Sequence, residues 1–174
     1  MMTHPLCRRI ADVLDLDVHV PAIQYDGQWF SWGELGRDAR HISALVAEHG
    51  GGAPRVGIML RNRPAHVAAL LGVLLAGGTV VVINPSRGDV RTRSDISALQ
   101  LRVVVGESTD LKRLLAPSPL TTVITLGDLT GGADVIPAID AGEADPGRPG
   151  VAVWMLTSGT TGPLRRNSSG TLTP

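Results

Sequence analysis

Val56–Asn84 reads VGIML RNRP AHVAALLGVLLAGG TVVVIN, and its hydrophobic period changes twice. Val56 to Leu60 is a short unbroken apolar run, the mark of a strand covered on both faces. Pro64 suits the first position of a helix, where a missing N–H costs no hydrogen bond. The Ala/Leu-rich run from Pro64 to Ala76 is predicted helical. Gly77-Gly78 interrupts it, and Thr79 to Asn84 is β-branched and strand-like, stopped by Pro85. Val67 to Ile83 carries no charge and is the most membrane-like stretch of the chain. It is just short of a spanning helix and is divided by the glycine pair, so a buried helix followed by a buried strand accounts for it better. A strand, a helix and a second continuous strand form a βαβ unit, which implies a parallel sheet.

The same alternation continues outward. Val90 to Leu99 reads as a helix, Leu101 to Val105 as a strand, Asp110 to Leu115 as a short helix and Thr121 to Leu126 as a strand. Residues 127–150 are rich in glycine and aspartate with little periodicity, and are expected to be a loop before a last strand, Val151 to Leu156. Upstream, residues 5–17 space Leu6, Ile10, Val13 and Leu14 as one helical face. Asp26-Gly27 between Ala22–Tyr25 and Gln28–Phe30 signals a hairpin, because both turn positions need positive φ. Ser31-Trp32-Gly33-Glu34 has the form of a capping box, opening a helix to about Glu48. The expected fold class is α/β: a mainly parallel sheet with helices on both faces.

Composition bounds the function. A chain of 174 residues with 43% apolar content suffices for one packed domain. Sixteen basic and sixteen acidic residues cancel, which removes any general electrostatic case for nucleic acid. Aromatics are few, so stacking platforms for bases are not on offer. Arginines are numerous and scattered, and Lys112 is the only lysine. The single cysteine, Cys7, excludes an internal disulfide and a cysteine-based zinc site, and fits a reducing cytoplasmic setting. The N-terminus lacks the layout of a signal peptide.

The chemistry is expected in the segment after the last strand, Thr157-Ser158-Gly159-Thr160-Thr161-Gly162. Glycines let the main chain approach a phosphate closely, and four hydroxyls can donate to phosphate oxygens or meet a magnesium ion. Arg165 and Arg166 lie just beyond and supply positive charge. The order is not a Walker A motif, which places Lys-Ser/Thr directly after its last glycine, nor the Gly-x-Gly-x-x-Gly of a dinucleotide fold. Ser158 does not sit in a Gly-x-Ser-x-Gly elbow. The five histidines are scattered apart from His41 and His49, and no His/Asp/Glu set has metal-ligand spacing.

Leu156 to Pro163 resembles the phosphate-loop motif of the AMP-forming adenylating superfamily, which includes acyl-CoA synthetases, fatty-acyl-AMP ligases, luciferases and peptide-synthetase adenylation domains. Three upstream segments resemble the same family in the same order. They are Tyr25 to Leu35, Val56 to Pro64 with its Val-x-Ile-x-Leu-x-Asn-x-Pro pattern, and Leu74 to Pro85 with its Ala-Gly-Gly…Asn-Pro element. The resemblance implies a two-step ligase. A carboxylate attacks the α-phosphate of ATP, and the acyl group then passes to a thiol of coenzyme A or of a carrier protein. It further implies that Thr157, Ser158, Gly159, Thr160, Thr161 and Gly162, with Arg165 for charge, contact ATP and its Mg2+. The family usually continues Gly-x-Pro-Lys-Gly, whereas this chain has Leu164 for the proline and Arg165 for the lysine.

Beyond Arg166 no resemblance continues. The expectation is therefore the N-terminal portion of an adenylating domain over residues 1–163, with a disordered tail over 164–174. No catalytic residue is assigned. The fragment is expected to be inactive alone, and the alternatives are a non-catalytic truncated gene product, one half of a split enzyme with a separately encoded remainder, or a fragment of a peptide-synthetase-type adenylation domain. No membrane span is expected.

Overall fold

The computed structural model describes residues 5–129, 131–140 and 150–155. The chain opens with helix α1 (Pro5–Asp15) and the hairpin β1 (Pro21–Tyr25) and β2 (Gln28–Ser31). Asp26 and Gly27 take φ of 50° and 76°, the left-handed pair that a tight hairpin turn requires. Helix α2 (Trp32–Gly50) starts at the expected capping box. The Ser31 hydroxyl accepts from the Glu34 N–H at 3.2 Å, and the Ser31 N–H donates to the Glu34 carboxylate at 2.7 Å. That backbone hydrogen bond holds Glu34 below the usual carboxylate range.

Strand and helix then alternate: β3 (Arg55–Met59), α3 (Pro64–Leu75), β4 (Thr79–Ile83), α4 (Asp89–Leu99), β5 (Val103–Glu107), α5 (Ser108–Leu114) and β6 (Thr122–Leu126). The membrane-like stretch resolves into most of α3 and the whole of β4, with Gly77 at φ 75° between them. No helix among the described residues is long and apolar enough to cross a membrane.

The strands order as β7-β6-β5-β3-β4-β8, where β7 is Ala133–Ile136 and β8 is Val153–Met155. All neighbours are parallel except β7, which runs antiparallel to β6. Alternate residues face two separate cores. Val56, Ile58, Val80, Val103, Val105 and Ile124 pack beneath α2 and α3, while Met59, Val81, Ile83 and Val104 pack against α4 and α5. A strand buried on both faces has no polar side to show, which is why these segments read as unbroken apolar runs.

Strand β7 corrects the expectation of an unstructured loop over 127–150. Ala133 and Val135 turn toward the α2 side of the sheet, and Asp134 pairs with Thr125 in register. A bend closes the connection, with the Gly127 N–H donating to the Gly132 carbonyl at 3.1 Å. Four residues of alternating pattern among glycines and aspartates give too weak a period to stand out in sequence.

Candidate functional site

Five parallel strands end at one edge of the sheet, and what leaves that edge is where a doubly wound sheet builds its site. Strand β8 is held beside β4 in the register Val80↔Val153, Val81↔Trp154 and Val82↔Met155. The Thr79 hydroxyl donates to the Val151 carbonyl at 2.7 Å, and the Val80 N–H donates to the Ala152 carbonyl at 2.9 Å. The Arg55 guanidinium lies over the Trp154 ring, 5.5 Å from its centroid. Met155 therefore delivers the chain to the carboxyl edge, beside the turn that follows β4. That turn is itself fixed, since the Asn84 side-chain oxygen accepts from the Ser86 N–H at 2.9 Å. The expected contacts Thr157, Ser158, Gly159, Thr160, Thr161, Gly162 and Arg165 lie outside the described residues, as does Leu156 of the expected strand.

The other place at this edge is the junction of β3 and β5. The connection from β3 runs to β4 on one side, and that from β5 runs to β6 on the other. A crevice is expected where neighbouring strands diverge in this way. Here it is filled by paired charges. Arg61 grips Asp110 with two hydrogen bonds of 2.8 Å, Nε to one carboxylate oxygen and Nη2 to the other. Arg113 reaches the same carboxylate at 2.8 Å and the Pro85 carbonyl at 3.0 Å, and also pairs with Asp89. Arg63 pairs with Glu107 at 3.1 Å. The Asp110 side chain is only 3% exposed, and the Arg61 hydrogen bonds above all hold its carboxyl well below the usual range. The arginines that are scattered in sequence converge here, and their partners lie up to 49 residues away.

His66 is fully buried next to this cluster, with neither ring nitrogen hydrogen-bonded, and Nδ1 lies 4.0 Å from Glu107. Burial pushes its imidazole below the ordinary histidine range, with the Glu107 charge pulling the other way. Cys7 is buried, and its thiol donates to the Leu74 carbonyl at 3.1 Å, an environment for packing. Among the described residues no three His, Cys, Asp or Glu side chains are grouped to hold a metal ion.

A match to the family described as AMP-binding enzyme runs over residues 15–164, so Thr157–Gly162 falls inside it. The chain belongs to the AMP-binding enzyme family. Surfactin synthase subunit 3 of Bacillus subtilis (strain 168) is 30% identical over 168 residues, covering 95% of this chain and 13% of that protein. The medium/long-chain-fatty-acid–CoA ligase FadD6 of Mycobacterium tuberculosis (strain ATCC 25618 / H37Rv) is 30% identical over 149 residues, covering 80% and 25%. The solved structure of the ATP-bound RpMatB-BxBclM chimera B3 matches with a TM-score of 0.68 and 26% identity, covering 92% of this chain and 33% of that one. The chain thus spans a third or less of the length of these relatives.

Proposed function

We propose that this AMP-binding family chain supplies the triphosphate-holding part of an acid–thiol ligase. ATP is held at its β- and γ-phosphates by Thr157, Ser158, Gly159, Thr160, Thr161 and Gly162, with Arg165 adding charge. The observation that carries the reading is the delivery of the chain by β8 to the carboxyl edge, while the β3–β5 crevice is filled by its own ion pairs. The donor set fits a polyanion: residues 156–165 offer four hydroxyls, two glycines and a guanidinium, and no carboxylate. Magnesium, when bound, neutralises phosphate charge. The chain's own part is to fix the phosphates while an acyl carboxylate attacks the α-phosphate and pyrophosphate leaves. The acyl group then passes to a thiol of coenzyme A or of a carrier protein. Residues 166–174 take no part in this reading, and the compartment it fits is the cytoplasm.

Catalysis needs walls for the adenine, the ribose and the acid as well as for the phosphates. A polypeptide of these 174 residues is therefore expected to bind MgATP weakly and to show no acid-dependent exchange of pyrophosphate into ATP. Amide resonances of Thr157–Gly162 should shift on MgATP addition, and their remaining still would overturn the reading. Exchange restored by adding the downstream part of an adenylating domain in trans would identify a split enzyme.

A further inference from the structure

By its own sequence β8 is poorly registered. It has three residues, Val153–Met155, and among the described residues its backbone pairs with β4 alone. The run Val151 to Leu156 is apolar throughout, so no alternation of polar and apolar residues distinguishes one pairing from the next. A slip of one residue would turn Trp154 from the α4 side of the sheet to the α2 side. A slip of two would keep the faces but carry the chain about 6.6 Å along β4. Contacts outside the ladder have to choose the register.

Two side chains supply such contacts, from the first residues of β4 and β3. Thr79 is the one polar residue of the run Thr79-Val80-Val81-Val82-Ile83, and it is buried. Its N–H donates to the Pro54 carbonyl at 2.9 Å, toward β3, while its hydroxyl reaches the other way and donates to the Val151 carbonyl at 2.7 Å. Val151 stands two residues before β8, beyond the paired residues of the ladder. A valine at position 79 would fill the same space and make no such bond. Arg55 acts from one strand farther. Its Nη2 donates to the Leu99 carbonyl at the end of α4 at 3.2 Å, with the guanidinium over Trp154, the β8 side chain that packs on the second core. A cation over an indole face is attracted to it, so the ring is favoured in that place.

We propose that Thr79 and Arg55 are positioning residues for the phosphate-holding segment: Thr79 through the Val151 carbonyl, and Arg55 through the Trp154 ring, set the register of β8 and with it the point at which Thr157 begins. The role rests on Thr157–Gly162 holding phosphate. Both residues stand at the amino ends of their strands, the edge of the sheet away from the proposed ligand, so they act only through β8. Misplacement of a binding group by about 1 Å is enough to weaken a site, and one residue of slip is roughly 3.3 Å.

Thr79→Val removes the hydroxyl and keeps the shape, whereas Thr79→Ser keeps the hydroxyl. In the 174-residue chain, Thr79→Val should speed amide exchange over residues 153–155 about tenfold. It should also weaken MgATP about fivefold, followed by the amide resonances of Thr157–Gly162, with an unchanged thermal midpoint. Thr79→Ser should return both readouts to the parent values. Arg55→Met, which keeps the aliphatic stem, should move both in the direction of Thr79→Val; no effect would strike the arginine from the role. Exchange over 153–155 untouched by Thr79→Val, in a chain that still binds MgATP, would overturn the pinning of β8 alone. Faster exchange with unaltered MgATP affinity would show that β8 is pinned to no effect on the ligand, and would overturn the positioning role. A parent chain whose Thr157–Gly162 amides ignore MgATP would instead defeat the phosphate reading, and the positioning role with it, however the exchange responds.

Discussion

At Asp110 two guanidinium groups share one nearly water-free carboxylate; if it goes, Arg61 loses its carboxylate partner while Arg113 keeps Asp89. Removing the carboxylate strips the charge-assisted hydrogen bonds from Arg61 and one from Arg113, and both guanidinium groups are partly exposed, so Asp110→Asn should cost about 2 kcal/mol at pH 7 by urea denaturation. The sign of the pH dependence follows from the lowered carboxyl. The stability it provides is complete above the unfolded aspartate value of about 3.9 and is lost as pH falls from there through the folded value. The gap between the two proteins should therefore close below pH 4, and a gap independent of pH would refute the assignment. His66 behaves separately. The unfolded chain takes up a proton near pH 6.5 whereas the buried ring resists it, so stability should fall as pH drops below about 6.5. His66→Leu should flatten the slope of stability between pH 6.5 and 5 while keeping the site filled; an unchanged slope would count against it. Neither residue stood out in the sequence. Asp110 looked like any helix-start aspartate: Arg113 stands three residues on in the same helix, but Arg61, which grips the carboxylate with two hydrogen bonds, comes from the connection between β3 and α3, 49 residues away.

The elements were legible where a period or a cap names them. The capping box at Ser31–Glu34, the Asp26-Gly27 turn and the continuous runs of β3, β4, β5 and β6 all carry a local physical signal that tertiary packing reinforces. β7 carries none, because its pairing with β6 and not its own sequence makes it a strand. Likewise nothing local shows that Gly72 is where α2 and α3 touch. A Cβ there would stand 2.6 Å from the Ala39 carbonyl oxygen and 2.9 Å from the Ile42 Cβ. Gly72→Ala should raise helix propensity by roughly 1 kcal/mol yet force the helices apart at a cost of about 1–3 kcal/mol, for a net loss of stability. A variant that melts higher than the parent would show that the helices can separate freely. The phosphate-holding segment was legible from its residue types alone, since glycine and hydroxyl chemistry is written in the sequence; its arrangement in space was not.

At the scale of the molecule the sheet is well covered in its middle and exposed at one side. β3 and β5 are sealed by helices on both faces, whereas β8 ends the sheet among the described residues with Val153 44% and Met155 66% exposed. Both side chains lie on the face that α2 and α3 cover farther in, and among the described residues the backbone of β8 pairs on one side only. An apolar edge strand with unused N–H and C=O groups is a template for another strand. The 174-residue chain should therefore self-associate as its concentration rises, seen as a growing weight-average mass in sedimentation velocity. Charged residues on an edge strand discourage such pairing, because adding a strand would desolvate them. Met155→Lys should restore a monomeric boundary with little change in unfolding midpoint, since Met155 is mostly exposed in the monomer. Asp134→Lys on the opposite edge, where a charge already stands, should leave the association as it was. A parent chain that stays monomeric at high concentration, or association relieved equally by both substitutions, would remove β8 as the cause.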